Sequence, residues 1–277
     1  MRLFIGGMRG SQPSTGAGFE EFGGDTTSLL LVGSHGERLA LDAGTGMRAV
    51  ADQLADTRAG EVTVLFSHYH LDHMAGLMMN PLLYGSDWSF RFIGPTLGEG
   101  GVRDAVAGLL RPPYWPIAWE QMGAKLGFSE FPPQGIHVGR LLVQGCPVPH
   151  PGGCVAYRID DADGASFVFA TDLEWQNRTD VFETAFMTMC RKPKPADMLA
   201  IDAHFGRENE KAFAGWGHSS WQDCLEIARS AGVARVLLGH HAPEADDRTL
   251  RRVEQQVKKL SPGSMLARAG QWLTVDG

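Results

Sequence analysis

Cysteine is scarce in this chain: four residues in 277, at Cys146, Cys154, Cys190 and Cys224, with no C-x-x-C pair among them. That spacing excludes a zinc finger and a thioredoxin-like redox motif. Cys146 and Cys154 flank His150 and leave one disulfide open, but free thiols in a cytoplasmic protein are the expectation. Long hydrophobic runs are missing too. No stretch approaches the roughly 20 apolar residues of a membrane helix, and the apolar part of Met1–Gly7 is too short for a signal peptide, so no membrane partner is expected. Positive charge is in deficit, with 25 Lys and Arg against 32 Asp and Glu and a net charge of −7. A long polyanion such as duplex DNA therefore finds no electrostatic footing. A small anion remains open, because a metal centre would bring its own positive charge. Nothing resembling a linker interrupts the chain, and a single domain over residues 1–277 is expected.

What is present is an ordinary globular composition, 43% hydrophobic and 21% charged, with 35 glycines that favour tight turns between short elements. The first half reads as strands at Leu3–Ile5, Thr27–Gly33, Arg38–Asp42, Val62–Phe66 and Arg91–Pro95, with helices over Met47–Ala55 and Val102–Leu110. The second half reads as a hairpin (Val155–Ile159 and Ser166–Ala170), a strand from Met198 to Phe205 and a helix capped by Ser219 or Ser220. A last strand from Ala234 to His241 and a helix from Arg248 to Leu260 follow.

The densest chemistry lies just after the Val62–Phe66 strand. Ser67-His68-Tyr69-His70-Leu71-Asp72-His73 places three histidines and a carboxylate within six positions. Strand ends are where α/β sheets bind ligands and metals. His68 and His70, two apart, can close on one metal while Asp72 and His73 serve a second. Imidazole with one hard carboxylate suits zinc, iron or manganese. Met74 onward could open a helix that Pro81 limits. Other strand ends carry polar residues as well: His150 between two prolines, Thr171-Asp172, Asp202 with His204, and the adjacent pair His240-His241. His35 and His137 read as surface residues. Asp160, Asp161 and Asp163 resemble part of a calcium loop, but the spacing is incomplete and no glutamate follows at the right distance.

H-x-H-x-D-H after an apolar strand resembles the signature of the metallo-β-lactamase superfamily of dinuclear metallohydrolases. The resemblance implies an α/β fold, specifically the αββα metallo-β-lactamase sandwich, and two divalent metal ions, zinc foremost with manganese or iron as alternatives. It further implies that His68, His70 and His150 hold one metal, that Asp72, His73 and the last histidine hold the other, and that Asp172 bridges them. His240 matches that last histidine, with His241 not separable from it by sequence. Asp42 stands where the superfamily has a carboxylate that braces the metal loop, although a turn carboxylate or helix cap reads equally well there. Gly217-His218-Ser219-Ser220 looks like the G-H-S-T motif of the ribonuclease Z-like phosphodiesterases. In that branch the histidine, His218 here, helps protonate the leaving oxygen. Leu199–Phe205 resembles the H-E-A-T-F strand of the same branch and puts Asp202 where a carboxylate orients that histidine. The catalytic set implied is His218, Asp202 and Asp72.

Two departures shape the expected function. Ribonuclease Z enzymes carry a long tRNA-gripping arm between the third histidine and the bridging aspartate. Here only 22 positions separate His150 from Asp172, and a hairpin fills them. The histidine of H-E-A-T-F is replaced by Ile201, while His204 occupies a later position of that strand, as a substrate contact or a mere strand-end residue. The expectation is hydrolysis of a small phosphodiester, such as a cyclic nucleotide or a short oligonucleotide end, and not of a long nucleic acid. A lactone or thioester hydrolase on the same metals, or a non-catalytic metal-binding sensor, are the alternatives. The proline- and aromatic-rich stretch from Arg111 to Trp119 could wall the cleft, with Trp115 or Tyr114 stacking on a base. It could equally cap the core or form the contact of a homodimer.

Overall fold

The computed structural model describes residues 1–98 and 100–276. Short strands, most of them buried along nearly their whole length, build two seven-stranded sheets. The first contains β1 (Arg2–Gly7), β2 (Ser28–Val32), β3 (Arg38–Leu41), β4 (Glu61–Leu65), β5 (Ser89–Gly94) and β6 (Lys125–Glu130). The second contains β7 (Ile136–Val138), β8 (Leu141–Val148), β9 (Cys154–Asp160), β10 (Ser166–Ala170), β11 (Met198–Asp202), β12 (Val236–Gly239) and β13 (Met265–Leu266). The last strand, β14 (Trp272–Thr274), returns to the first sheet beside β1, so the chain's two ends meet there.

Side chains follow the two-residue strand period. Leu3, Ile5, Leu29, Leu31, Leu39 and Leu41 face inward against Tyr157, Ile159, Phe167, Phe169 and Leu237 of the second sheet. Their neighbours Phe4, Leu30, Ala40, Val62 and Val64 face out and are covered by α1 (Met47–Ala55) and α2 (Val102–Leu109). On the far side Val168, Leu199, Ile201 and Leu238 pack under α3 (Asp180–Arg191), α4 (Trp221–Ala231) and α5 (Asp247–Leu260). The layers run α/β/β/α, the expected sandwich.

Two expectations are corrected. No helix opens at Met74; instead three short 3₁₀ turns cover Leu71–His73, Ala75–Met79 and Pro81–Tyr84. Gly76 is wedged against the backbone of Gly44, its N–H bonded to the Ala43 carbonyl, and the Asn80 side chain caps a fresh turn at Leu82. Backbone bonds that a continuing helix would use are thus spent on tertiary partners. Trp115 is also not a free stacking surface. Its indole N–H bonds the Tyr84 hydroxyl and its ring packs on the outer layer of the first sheet, so Trp115, with Ile117 and Trp119, caps the core. Tyr114 is exposed to solvent, as are Pro112, Pro113 and Pro116. The four cysteines are free and buried, and the Asp160 and Asp161 carboxylates are occupied by Arg158 and Ser34.

Candidate metal and catalytic site

Polar residues gather where β3, β4, β8, β10, β11 and β12 end at one rim of the sandwich. The turn after β4 delivers His68, His70, Asp72 and His73; β8 leads to His150; Asp172 follows β10; Asp202 ends β11; His240 follows β12. Among the described residues three groups form, each with ligand atoms within 4.8 Å of one another: His68, His70, His150 and Asp172; Asp72, His73, Asp172 and His240; and His204, His218 and His240. Asp172 belongs to the first two. Its Oδ2 lies 3.6 Å from His68 Nε2 and 3.7 Å from His150 Nε2, while its Oδ1 lies 3.1 Å from His73 Nε2 and 3.0 Å from His240 Nδ1. Each oxygen thus faces a different group, the arrangement a bridging carboxylate needs.

The residues fit a pair of cations on two counts. The Nε2 atoms of His68 and His73, both turned toward Asp172, are buried without a hydrogen-bond partner, which is costly unless something fills the gap. The electrostatics also favour positive charge. Burial keeps His68 well below its ordinary pKa and lowers His240 to about 4, leaving both as neutral rings with a lone pair to give. At His73 burial also opposes charge, but Asp172, Asp72 and Asp42 outweigh it and raise its pKa well above the ordinary value. Burial likewise opposes charge on Asp172, yet the His240, His73 and His68 rings hold its carboxyl well below the usual range.

A surrounding layer of hydrogen bonds aims these rings. Asp42, fully buried at the end of β3, accepts from His73 Nδ1 at 2.7 Å, from the Ser67 N–H at 2.7 Å and from the Ser67 hydroxyl at 2.7 Å. That is the bracing position implied by the resemblance, and no helix cap is made there. Gly217 O accepts from His150 Nδ1 at 2.9 Å, which turns Nε2 toward the group. The Ser11 N–H donates to Asp72 Oδ2 at 2.8 Å. Among the described residues four non-glycine residues have positive φ, and all four belong to this rim: Ser11, Asp42, Asp172 and His240, between +51° and +61°. Left-handed backbone at such residues costs free energy and persists only where the surroundings impose it.

Beside the groups lies a His–Asp pair. His218 Nδ1 bonds Asp202 Oδ2 at 2.8 Å, and Asp202 also accepts from the N–H groups of Leu173 and His204, each at 3.1 Å. Burial works against a charged His218, but the carboxylate of Asp202, with those of Asp172 and Asp72, raises its pKa to about 9. The ring stacks on His240 with centroids 4.6 Å apart. His204 packs against both rings, 4.4 Å from His218 and 5.4 Å from His240 between centroids, with its Nδ1 bonded to the His240 carbonyl. His241 turns away from Asp172, bonding Ala267 O and lying edge-on to Phe22, so His240 is the histidine that faces the site. His35 and His137 sit at the surface, remote from these groups.

Glu174 was not anticipated. Its buried carboxylate accepts from the N–H groups of Gly215 at 2.7 Å and Gly217 at 3.2 Å, pinning the arch that precedes His218. Only its place between Leu173 and Trp175, a lone charge among apolar residues, hints at this from sequence.

The model of a beta-lactamase superfamily domain matches residues 37–241. Ribonuclease BN of Cronobacter sakazakii is 24% identical over 265 residues, covering 80% of this chain and 84% of that protein. The crystal structure of the metallo-beta-lactamase fold protein YhfI from Bacillus subtilis superposes with a TM-score of 0.69 at 19% identity, covering 99% of both chains. A diphosphatase of the PhnP family superposes with a TM-score of 0.72 at 16% identity, covering 99% of this chain and 98% of that one.

Proposed function

The chain belongs to the beta-lactamase superfamily and is a metal-dependent hydrolase, and from that premise we propose that it cleaves a small phosphodiester, such as a cyclic nucleotide or a short oligonucleotide end, with two divalent cations. The observation that carries the phosphodiester reading is the buried His218–Asp202 pair beside the Asp172 cluster. A general acid at that place serves the departure of an alkoxide, as from a phosphodiester, whereas the thiolate of a thioester leaves without one. The names of the relatives, a ribonuclease and a diphosphatase, support phosphoester chemistry.

In this reading His68, His70 and His150 hold one cation, Asp72, His73 and His240 the other, and Asp172 both. Zinc suits the imidazole-rich set, with manganese and iron as alternatives. Two dications supply a nucleophile from water at neutral pH and offset the charge that builds on the phosphoryl oxygens. The chain's own residues do the remainder. Asp42 and Gly217 O fix the rings of His73 and His150. His218 donates its Nε2 proton to the leaving oxygen while Asp202 holds Nδ1 and steadies the imidazolium. A small substrate, a cytoplasmic location and independence from membranes complete the proposal; among the described residues no helix is long and apolar enough to cross a membrane.

Elemental analysis run in parallel with hydrolysis of bis(p-nitrophenyl) phosphate tests it. About two metals per chain, with turnover that a chelator abolishes and added metal restores, is the expected outcome. Two metals with turnover of lactones or thioesters but no diester would move the site to carbon esters, and two metals with no ester cleaved would make it a sensor.

A further inference from the structure

Next to His150 opens a cleft of about 1010 Å³, a size suited to a small-molecule site. Its walls come from three directions: Leu97 after β5, Phe131 and Pro132 after β6, and Phe182 on α3, with Pro147 of β8 between them. His150 itself lines the cleft and so joins it to the metal groups. The walls contain neither lysine nor arginine. Two carboxylates do line the cleft, and both are already engaged. Glu130 accepts from the Thr96 hydroxyl at 2.9 Å and the Val102 N–H at 3.3 Å, and Glu174 holds Gly215 and Gly217.

Away from the metal groups, a second phosphate in this cleft would find no lysine or arginine among the described residues and two carboxylates, a like-charge arrangement that disfavours binding. An uncharged ring would find leucine, phenylalanine and proline surfaces of matching size. We infer that the cleft is a specificity subsite for an uncharged, ring-sized apolar substituent, so that the substrate carries one negative charge at the scissile group and no second phosphate. This rests on the hydrolase reading above and narrows it: single-phosphate diesters with a flat group fall inside, and oligonucleotide ends with several phosphates fall outside.

Calorimetric titration of the metal-loaded protein with phosphinates tests the subsite apart from catalysis, because a phosphinate has no P–O–C bond to cleave. Methyl(phenyl)phosphinate is expected to bind about tenfold to a hundredfold more tightly than dimethylphosphinate, from burial of the ring. A para-phosphonate on that ring should cancel the gain. Leu97→Ala and Phe182→Ala, which act from different elements and so do not share one folding defect, should each shrink the phenyl-to-methyl ratio several-fold. Equal affinity for the two phosphinates, tighter binding of the para-phosphonate, or a ratio that neither variant moves would overturn the inference. Absence of diester turnover would count against the phosphodiesterase reading alone, since these affinities do not depend on it.

Discussion

At the scale of single residues, the site divides into groups that hold charge and groups that aim them. His218→Ala is expected to lower kcat by about two to four decades while the metal content stays the same, as read by steady-state kinetics with elemental analysis. Asp202→Asn keeps Oδ1 for the His204 N–H but loses the acceptor that orients His218, so kcat should fall with KM nearly constant. The deficit should be small for a p-nitrophenyl leaving group, which departs without much help, and larger for an alkyl one. A uniform loss across leaving groups would make Asp202 structural only. Asp42 acts one step further out. Asp42→Ala removes the acceptor of His73 Nδ1 and of Ser67, and metal affinity measured with a competing chelator should fall about tenfold to a hundredfold.

At the scale of elements, the arch between Gly215 and His218 shows how loops set the rings. Gly217 has φ +92°, and a Cβ there would lie 2.2 Å from His150 Nδ1. Gly217→Ala should therefore displace the His150 ring and reduce bound metal from about two per chain to about one, while the circular dichroism of the folded protein is retained. This level of detail was hidden in the sequence. Most strands were readable as short apolar or β-branched runs, α1 by the helical spacing of its apolar residues, and the His68–His73 cluster because ligand types crowd into one turn; β6, β13 and β14 carry no such run and were not. The turns after His73 were not, since Gly76 answers to Gly44 across the fold and not to its own neighbours. Nor was the destination of Trp115, whose partner Tyr84 lies 31 positions away. α3 had readable signals, Thr179 as N-cap and Phe186, Met187 and Cys190 as its buried stripe, yet no strand pattern around it drew attention to it.

At the scale of the molecule, the ligand set is split between the two sheets. His68, His70, Asp72 and His73 follow β4 of the first, and His150, Asp172 and His240 follow β8, β10 and β12 of the second. Cations shared between these groups would tie the sheets together at the rim, adding to the apolar contacts between Leu29, Leu31, Phe167 and Phe169 within. Binding that exists only in the folded state stabilises it by about 2.7 kcal/mol when free ligand stands a hundredfold above Kd. Chelation should thus lower Tm by several degrees in calorimetry, and hydrogen exchange should quicken at the ends of β4 and β10 together.

A catalytic centre that also fastens the two halves of the fold has a consequence for the protein in a living cell. When metal runs short, each chain loses its chemistry and its clasp in the same event, and the loosened form is the one that quality-control proteases remove. Total enzyme, and not only the active fraction, would then follow metal supply. Recovery after starvation would wait on synthesis of new chains.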